Sequence, residues 1–515
     1  MARNLIEKIA LSEDAQARLL ARCRLNYEIA VEYHSQSWEA QHDQFMRQYL
    51  AQPRSEIKSK PWRGSSNLFV PVTHVITEGI LAREHEALFN QDPTIKVVGI
   101  EGSDIDEADL LDLFYSQHVY QSVIPLKTIA ADWLQNNAIF GTSAVKPRWM
   151  RDFTITRTQK IEQQINTANT STMFLGQEIS QSDPTGIEEY ISEDAVIAPI
   201  NRPVVDITNL SNLYVAPDSG PSLDWPVCDW YFQEQDLTWG DCVDRRRAGY
   251  SGVDDALKSK LTPRDLTDAE RTERREQGTQ DGTVEPTTKL VEFYMRWPLP
   301  GKFRMVGEEF KEITQSGSED DYVEEVIVTV WWDTQKLARV VPLARLYPSY
   351  REGEPPCRPH VDMRYKRMAG FFYGIGIPSI MRHLNKAMNQ LWNQGIDYGT
   401  LQNCPWYMYE PAIGLMNDMT GLSPGQGVPV GRAGGVTFPR FQGDQSFFIA
   451  MRQEVLQWAE RAGSINDFNL GRQGSHLPKT KGGTLALQHE SNVAFNRLVT
   501  GHADAFVTLC RRVHS

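Results

Sequence analysis

Two glycines one residue apart, set in an aromatic run and closed by a proline, constrain this chain more than any other feature. Phe371-Phe372-Tyr373-Gly374-Ile375-Gly376-Ile377-Pro378 opens a segment that continues at helical spacing to residue 398. Ile380, Leu384, Ala387, Met388 and Leu391 fall on one face by the three-and-four rule. Asn385, Asn389 and Asn393 repeat at four and stack as a stripe on another face. Pro378 suits a first helical turn, where a missing N–H costs no hydrogen bond. The spacing therefore predicts a long helix with a hard start, one apolar face and one uncharged polar face. Periodicity by itself places such a helix most simply in the core of a soluble enzyme.

The rest of the chain gives that helix a large setting. Its 515 residues suffice for two or more domains, and 41% hydrophobic with 23% charged residues is ordinary for a soluble globular protein. No apolar run reaches the roughly 18 residues of a membrane-spanning helix. The first residues, Met1-Ala2-Arg3-Asn4-Leu5-Ile6-Glu7, meet charge early, so use without Sec-type export is expected. Six widely spaced cysteines (23, 228, 242, 357, 404, 510) exclude zinc-ribbon and thioredoxin-like clusters and predict reduced thiols. The sequons at Asn169 and Asn209 are then chance matches. The net charge of −13 argues against tight binding to phosphates and favours loose or repulsive contact with DNA.

Along the chain, helix is expected to about residue 60, broken by Trp62-Arg63-Gly64-Ser65-Ser66-Asn67, then again over 70–89 and 104–134. Ile95-Lys96-Val97-Val98 is a short strand candidate. Gly141 turns the chain into a strand, and 150–200 mixes strand-like pieces with a polar hairpin or loop. Thr238 and Asp241 mark a capped helix start, with Asp replacing the usual Glu or Gln. Residues 257–277 read as a solvated charged helix. Strands follow at 290–297, 303–306 and 325–332, with an acidic hairpin tip at 316–321. Loops are expected at 411–435 and 469–483, and helices at 446–462 and 484–513.

Motifs for catalysis do not emerge. Walker A, His-Glu-X-X-His and Gly-X-Ser-X-Gly patterns are missing from the sequence. Gly425, Gly427 and Gly431 lack the spacing, lysine and hydroxyl of a phosphate loop. Glu319-Asp320-Asp321 with Glu324 and Glu325 lacks the alternating ligands of a calcium loop, which leaves a solvated hairpin tip. His34, His74, His85 and His383 have no partner at metal-ligand spacing. Neither a catalytic residue, a cofactor nor a metal is assigned, which moves weight toward a structural role.

The order of several separated stretches resembles the portal proteins of tailed bacteriophages, in particular the podovirus-like ones. The stretches are Trp62-Arg63-Gly64-Ser65-Ser66-Asn67 with Val70-Pro71 and Glu78; Asp132-Trp133-Leu134, Phe140-Gly141-Thr142 and Val145-Lys146-Pro147-Arg148-Trp149; and Arg367-Met368-Ala369-Gly370 running into the opening motif, with Asn389, Leu391 and Asn393 to Asp397 beyond. The resemblance implies an α+β portal fold with a mixed α/β wing, a two-helix stem, a small β-containing clip and a C-terminal helical crown region. Its parts would be wing at 1–235, first stem helix at 236–284, clip at 285–368 and second stem helix at 369–402. A channel loop and wing return would occupy 403–483, with a crown-proximal helix at 484–515. It further implies a homo-oligomeric ring of about twelve subunits at one capsid vertex of the virion, assembled in the host cytoplasm. Double-stranded DNA would pass through it during packaging and ejection, with terminase large subunit, tail adaptor, major capsid and scaffold proteins as partners and no membrane.

Within that reading, Asn385, Asn389 and Asn393 are candidates to face the DNA channel or a neighbouring subunit. Arg432, Lys479 and Lys481 are channel candidates on the two loops, of which either could be the channel loop. Glu319, Asp320 and Asp321 at the clip tip are candidates for docking a partner. Two other classes stay open: a phage DNA-processing enzyme, such as a nuclease or terminase component, and another minor head protein.

Overall fold

The computed structural model describes residues 11, 13–52, 62–90, 95–99, 105–174, 177–259, 287–298, 303–306, 309–312, 323–347, 356–404, 407–409, 427–429, 445–462 and 481–514. Helices come first, where apolar residues recur at three and four. α1 (Glu13–His34) runs through a π-helical turn, Ser35–Glu39, into α2 (Ala40–Tyr49). After the expected break, α3 (Val72–Phe89) and α4 (Ile105–Leu113) follow, and α4 passes through a second π segment, Phe114–Val123, toward α5 (Leu126–Phe140). The strand expected at 95–98 does not form. Val97 donates its N–H to Asp112 Oδ1 at 2.7 Å, a side-chain partner where a strand would need a neighbouring backbone.

Gly141 caps α5 with φ +80°, and its N–H bonds the Asn137 carbonyl at 2.8 Å. The chain then enters β1 (Thr142–Phe174), which returns as β2 (Gln177–Thr208). The two pair antiparallel from Ala144↔Thr208 to Phe174↔Gln177, slipping once at Asn166/Thr167 opposite Gly186 and Pro184. The polar stretch expected as strand fragments and loop is thus one continuous ribbon. At about 3.3 Å per residue it spans roughly 110 Å.

β3 (Leu213–Val215), β4 (Tyr231–Leu237), α6 (Trp239–Arg247) and α7 (Val253–Ser259) come next. The Thr238–Asp241 cap forms in both directions, so the shorter Asp serves where Glu is usual. β5 (Thr288–Pro298), β6 (Phe303–Val306), β7 (Glu309–Glu312), β8 (Val323–Trp331) and β9 (Lys336–Pro342) follow, then α8 (Leu343–Leu346) and β10 (Val361–Arg364). The main sheet has the order β3-β4-β5-β8-β9 and is antiparallel throughout. Alternation buries both faces. Val291, Phe293, Met295, Val326, Val328 and Val330 pack with Leu19, Cys23 and Ala30 of α1. Tyr294 and Ile327 point the other way, toward Tyr231, Phe140 and Phe372.

That sheet joins strands far apart in the chain. β5, β8 and β9, from the stretch expected as clip at 285–368, continue the sheet from β4 (Tyr231–Leu237), and β10 pairs with β1 from Thr142↔Arg364 to Val145↔Val361. Strands rich in valine on both faces need cover on both sides, and the body of the protein supplies it. The hairpin tip at 316–321 and most of the 257–277 helix lie outside the described residues.

α9 (Ile377–Asn403) is the long helix of the opening motif; β11 (Tyr407–Tyr409), β12 (Gly427–Pro429), α10 (Gln445–Ala462) and α11 (Lys481–His514) complete the chain. The last helix starts at Lys481, inside the loop expected to reach 483. The molecule is α+β, with its larger sheets antiparallel and only the short β11–β12 pair parallel among the described strands.

The reason for the glycine motif lies at the start of α9. A Cβ on Gly141 would come within 3.0 Å of the backbone of Gly374, Ile375 and Gly376. A Cβ on Gly374 would meet the Gly141 carbonyl, and one on Gly376 the Ile139 carbonyl. Three glycines thus let two backbone segments touch directly. Gly374 N–H donates to Thr142 Oγ1 at 2.7 Å, Tyr365 N–H to the Gly141 carbonyl at 3.1 Å and Ile375 N–H to the Lys366 carbonyl at 3.0 Å. Replacing Gly141 by Ala adds left-handed strain and a backbone overlap. Gly141→Ala is expected to lower unfolding free energy by about 2–5 kcal/mol, read from the urea midpoint.

Candidate functional site

The asparagine stripe is where sequence and structure part. Asn385 and Asn393 are buried, 2% and 7% exposed. Asn393 Oδ1 accepts from Ser66 Oγ at 2.7 Å and Leu68 N at 2.8 Å, and its amide donates to the Leu68 carbonyl at 3.0 Å. Asn389 Oδ1 accepts from Val70 N at 2.8 Å, and Asp397 accepts from Ser66 N at 2.7 Å. Asn389, Asn393 and Asp397 form a ladder that holds the extended residues 66–70 along α9 at every second residue. Asn389 and Asn393, two of the three asparagines expected to face a channel or a neighbouring subunit, thus satisfy backbone groups of the chain's own segment 66–70, whereas buried Asn385 makes none of these bonds. Ile377, Met381 and Met388 of α9 join Val72, Ile76 and Ile80 of α3 and Ala459 of α10 in one core cluster. Of the other candidates, Lys481 is the first residue of α11, while Arg432, Lys479, Glu319, Asp320 and Asp321 lie outside the described residues.

A second concentration of chemistry is internal. Arg358, fully buried, donates from Nε and Nη2 to the Glu325 carboxylate at 3.1 and 2.9 Å. Its remaining donors reach the carbonyls of Leu223 and Cys228 at 2.8 Å and Asp229 at 2.9 Å. Arg512, near the end of α11, donates to the Arg358 and His360 carbonyls and to Asp224. His360 bridges the Tyr231 hydroxyl at 3.0 Å and Gln233 Oε1 at 3.1 Å. Higher on α11, His502 meets Glu84 of α3, Asn137 of α5 at 2.9 Å and the Arg364 carbonyl at 3.1 Å. These groups tie the last helix to the sheet and the glycine junction. Removing one partner would strand a buried charge.

Titration follows burial. Burial holds the His360 imidazole well below its ordinary value, with Lys146 adding to the effect. Burial would push the Glu292 carboxyl up, but Lys146 beside it, with Arg245 behind, holds it at about 2. Burial lowers His34 to about 4, against its bond to the Leu210 carbonyl and together with the nearby His42. The signals for several of these sites were present in the sequence. Glu84 falls on the buried face of α3 with Thr73, Thr77 and Ile80, at three-and-four spacing.

Outside, large apolar side chains remain on α4 and the segment before it, where Val98, Ile105, Leu110, Leu113 and Phe114 are exposed. Met368 and Phe371 are exposed at the other end of the glycine motif, and Trp392, Ile396, Phe447 and Trp458 on α9 and α10. Among the described residues no group of three metal-ligating side chains gathers, and no helix is long and apolar enough to cross a membrane. No family model matches the chain, and no curated protein is significantly similar to it.

His34 supplies a pH test. Below about 6.5 the unfolded chain takes up a proton that folded His34 refuses until about 4. Its share of stability is complete above 6.5 and is lost as pH falls toward 4, amounting to roughly 3 kcal/mol. His34→Gln should flatten urea-midpoint stability across that window by about this amount. The residual slope belongs to other buried groups, including His360.

Proposed function

We propose that the chain is a portal subunit, one member of a ring at a capsid vertex through which double-stranded DNA is packaged and ejected. The ordered motifs resemble that family, and the most specific of them, around Gly374 and Gly376, is a junction of two backbone segments. The observation that carries the reading is the surface. Exposed apolar side chains crowd α4, α9 and α10 of a chain with net charge −13. Such patches call for protein neighbours, while the negative charge disfavours long-lived contact with phosphates. Head-to-tail contacts between unlike patches close into rings.

On this reading the chain performs no catalytic step. The terminase large subunit and the tail adaptor dock on the ring, and major capsid and scaffold proteins surround it. The wing contains the main sheet, the clip shrinks to the excursion between β5 and β8 that carries β6 and β7, and α9 serves as a packed strut. Channel contacts then fall to the segments 411–435 or 469–483.

Mass photometry of the purified chain tests the reading. A species of about twelve 58.6 kDa subunits with a central opening in negative stain is expected. A monomer or dimer carrying nuclease or ATPase activity would replace it with a DNA-processing enzyme.

A further inference from the structure

The opening motif divides into an inner and an outer half. From Phe372 onward its residues are buried or line the glycine junction, but Lys366, Arg367, Met368, Ala369, Gly370 and Phe371 are all exposed. This knuckle is pinned at both ends, by Tyr365 N–H on the Gly141 carbonyl and Ile375 N–H on the Lys366 carbonyl. It turns on Gly370 at φ +78° and on the Phe371 N–H bonded to the Met368 carbonyl at 3.3 Å. Two cations and two large apolar side chains therefore stand out on a rigid tip, with Phe371 51% exposed. Lys366 and Arg367 form no ion pair with another described residue, so the described fold makes little use of their charges.

α4 is the converse surface. Leu110 is 70% exposed, Leu113 and Phe114, the first residue of the π segment, are about half exposed, and the exposed charges just before them, Glu107 and Asp109, are both acidic. Leu110 and Phe114 are four apart and share a face, with Glu107 one turn before. Ala108 is the buried contact of this helix, and Asp112 is engaged with the Val97 backbone. One surface is apolar and acidic, the other apolar and basic, and both belong to the same chain.

We infer that the knuckle of one copy, residues 366–371, seats on α4 of the next copy, with Phe371 and Met368 against Leu110 and Phe114 and with Lys366 and Arg367 against Glu107 and Asp109. The contact is heterologous, because two different patches meet, and such contacts propagate around a ring. Pinned ends mean that the tip loses little freedom on docking, and opposite charges set the register. The inference rests on the ring reading and names the surfaces that would build it.

Charge reversal with mixing tests it. Lys366→Glu with Arg367→Glu gives a chain acidic on both patches, and Glu107→Arg with Asp109→Arg gives one basic on both. Each variant by itself should lose assembled species at least tenfold by mass photometry. Mixing the two should restore assembly, because each acidic patch then finds a basic one on the other variant. Should either lose its helical circular dichroism, Leu110→Gln and Phe371→Gln carry the test, each with a tenfold loss. Rings from the wild type that survive both reversals, or variants that fail to recover on mixing while remaining folded, overturn the contact and leave the ring reading standing. A wild type monomeric at every concentration overturns both.

Discussion

Direct backbone contact between Gly141 and the Gly374–Gly376 pair is the constraint on which the rest of the structure depends. It joins the end of α5, the foot of the long ribbon and the start of α9 at one point, with no side chain between them. Such an approach tolerates no Cβ on any of the three residues. It is reinforced by Thr142 from the strand and by Arg364, whose Nε bonds the Phe372 carbonyl at 2.6 Å while its guanidinium lies 4.6 Å from the Phe372 ring. Once the junction forms, the direction of α9 is set. Its polar stripe then falls on residues 66–70, and its apolar positions fall on α3 and α10.

The buried polar groups extend this logic to the end of the chain. Arg358, His360, Arg512 and His502 are buried, and their directional bonds fix one arrangement of the elements they join. Arg512 can satisfy its donors where the Arg358 and His360 carbonyls and Asp224 converge, and that places the final turns of α11. His502 does the same farther up the helix through Glu84 and Asn137. Two elements remote in sequence, α3 and α11, are thereby registered against the glycine junction by directional bonds.

Much of this was legible in the residues, and the failures have physical causes. The existence and start of α9 follow from its spacing and Pro378, and the short Thr238–Asp241 cap follows from local chemistry. The bonds of Asn389 and Asn393 to residues 66–70 are not legible, because an uncharged stripe looks alike from sequence whether it meets solvent or an extended backbone; Ser66 and Leu68 lie more than 300 residues from Asn393. The joining of β5, β8 and β9 to β4 is not legible in the sequence, because valine-rich strands carry no mark of which neighbour they will find. Gly141 announced a turn, but its closeness to Gly374 and Gly376 is a tertiary fact. The ribbon was read as fragments because its polar residues lack alternation, while its order comes from cross-strand backbone pairing.

Hydrogen exchange on the unmodified protein tests this account most directly, since it reads the junction and the knuckle in one experiment. The amides of Gly141, Gly374 and Ile375 should be among the slowest to exchange in both dissociated and assembled protein. Those of residues 367–370 should exchange rapidly in the dissociated chain and slow on assembly. Early exchange at Gly374 and Ile375 in the folded chain would contradict the claim that this backbone contact organises the molecule.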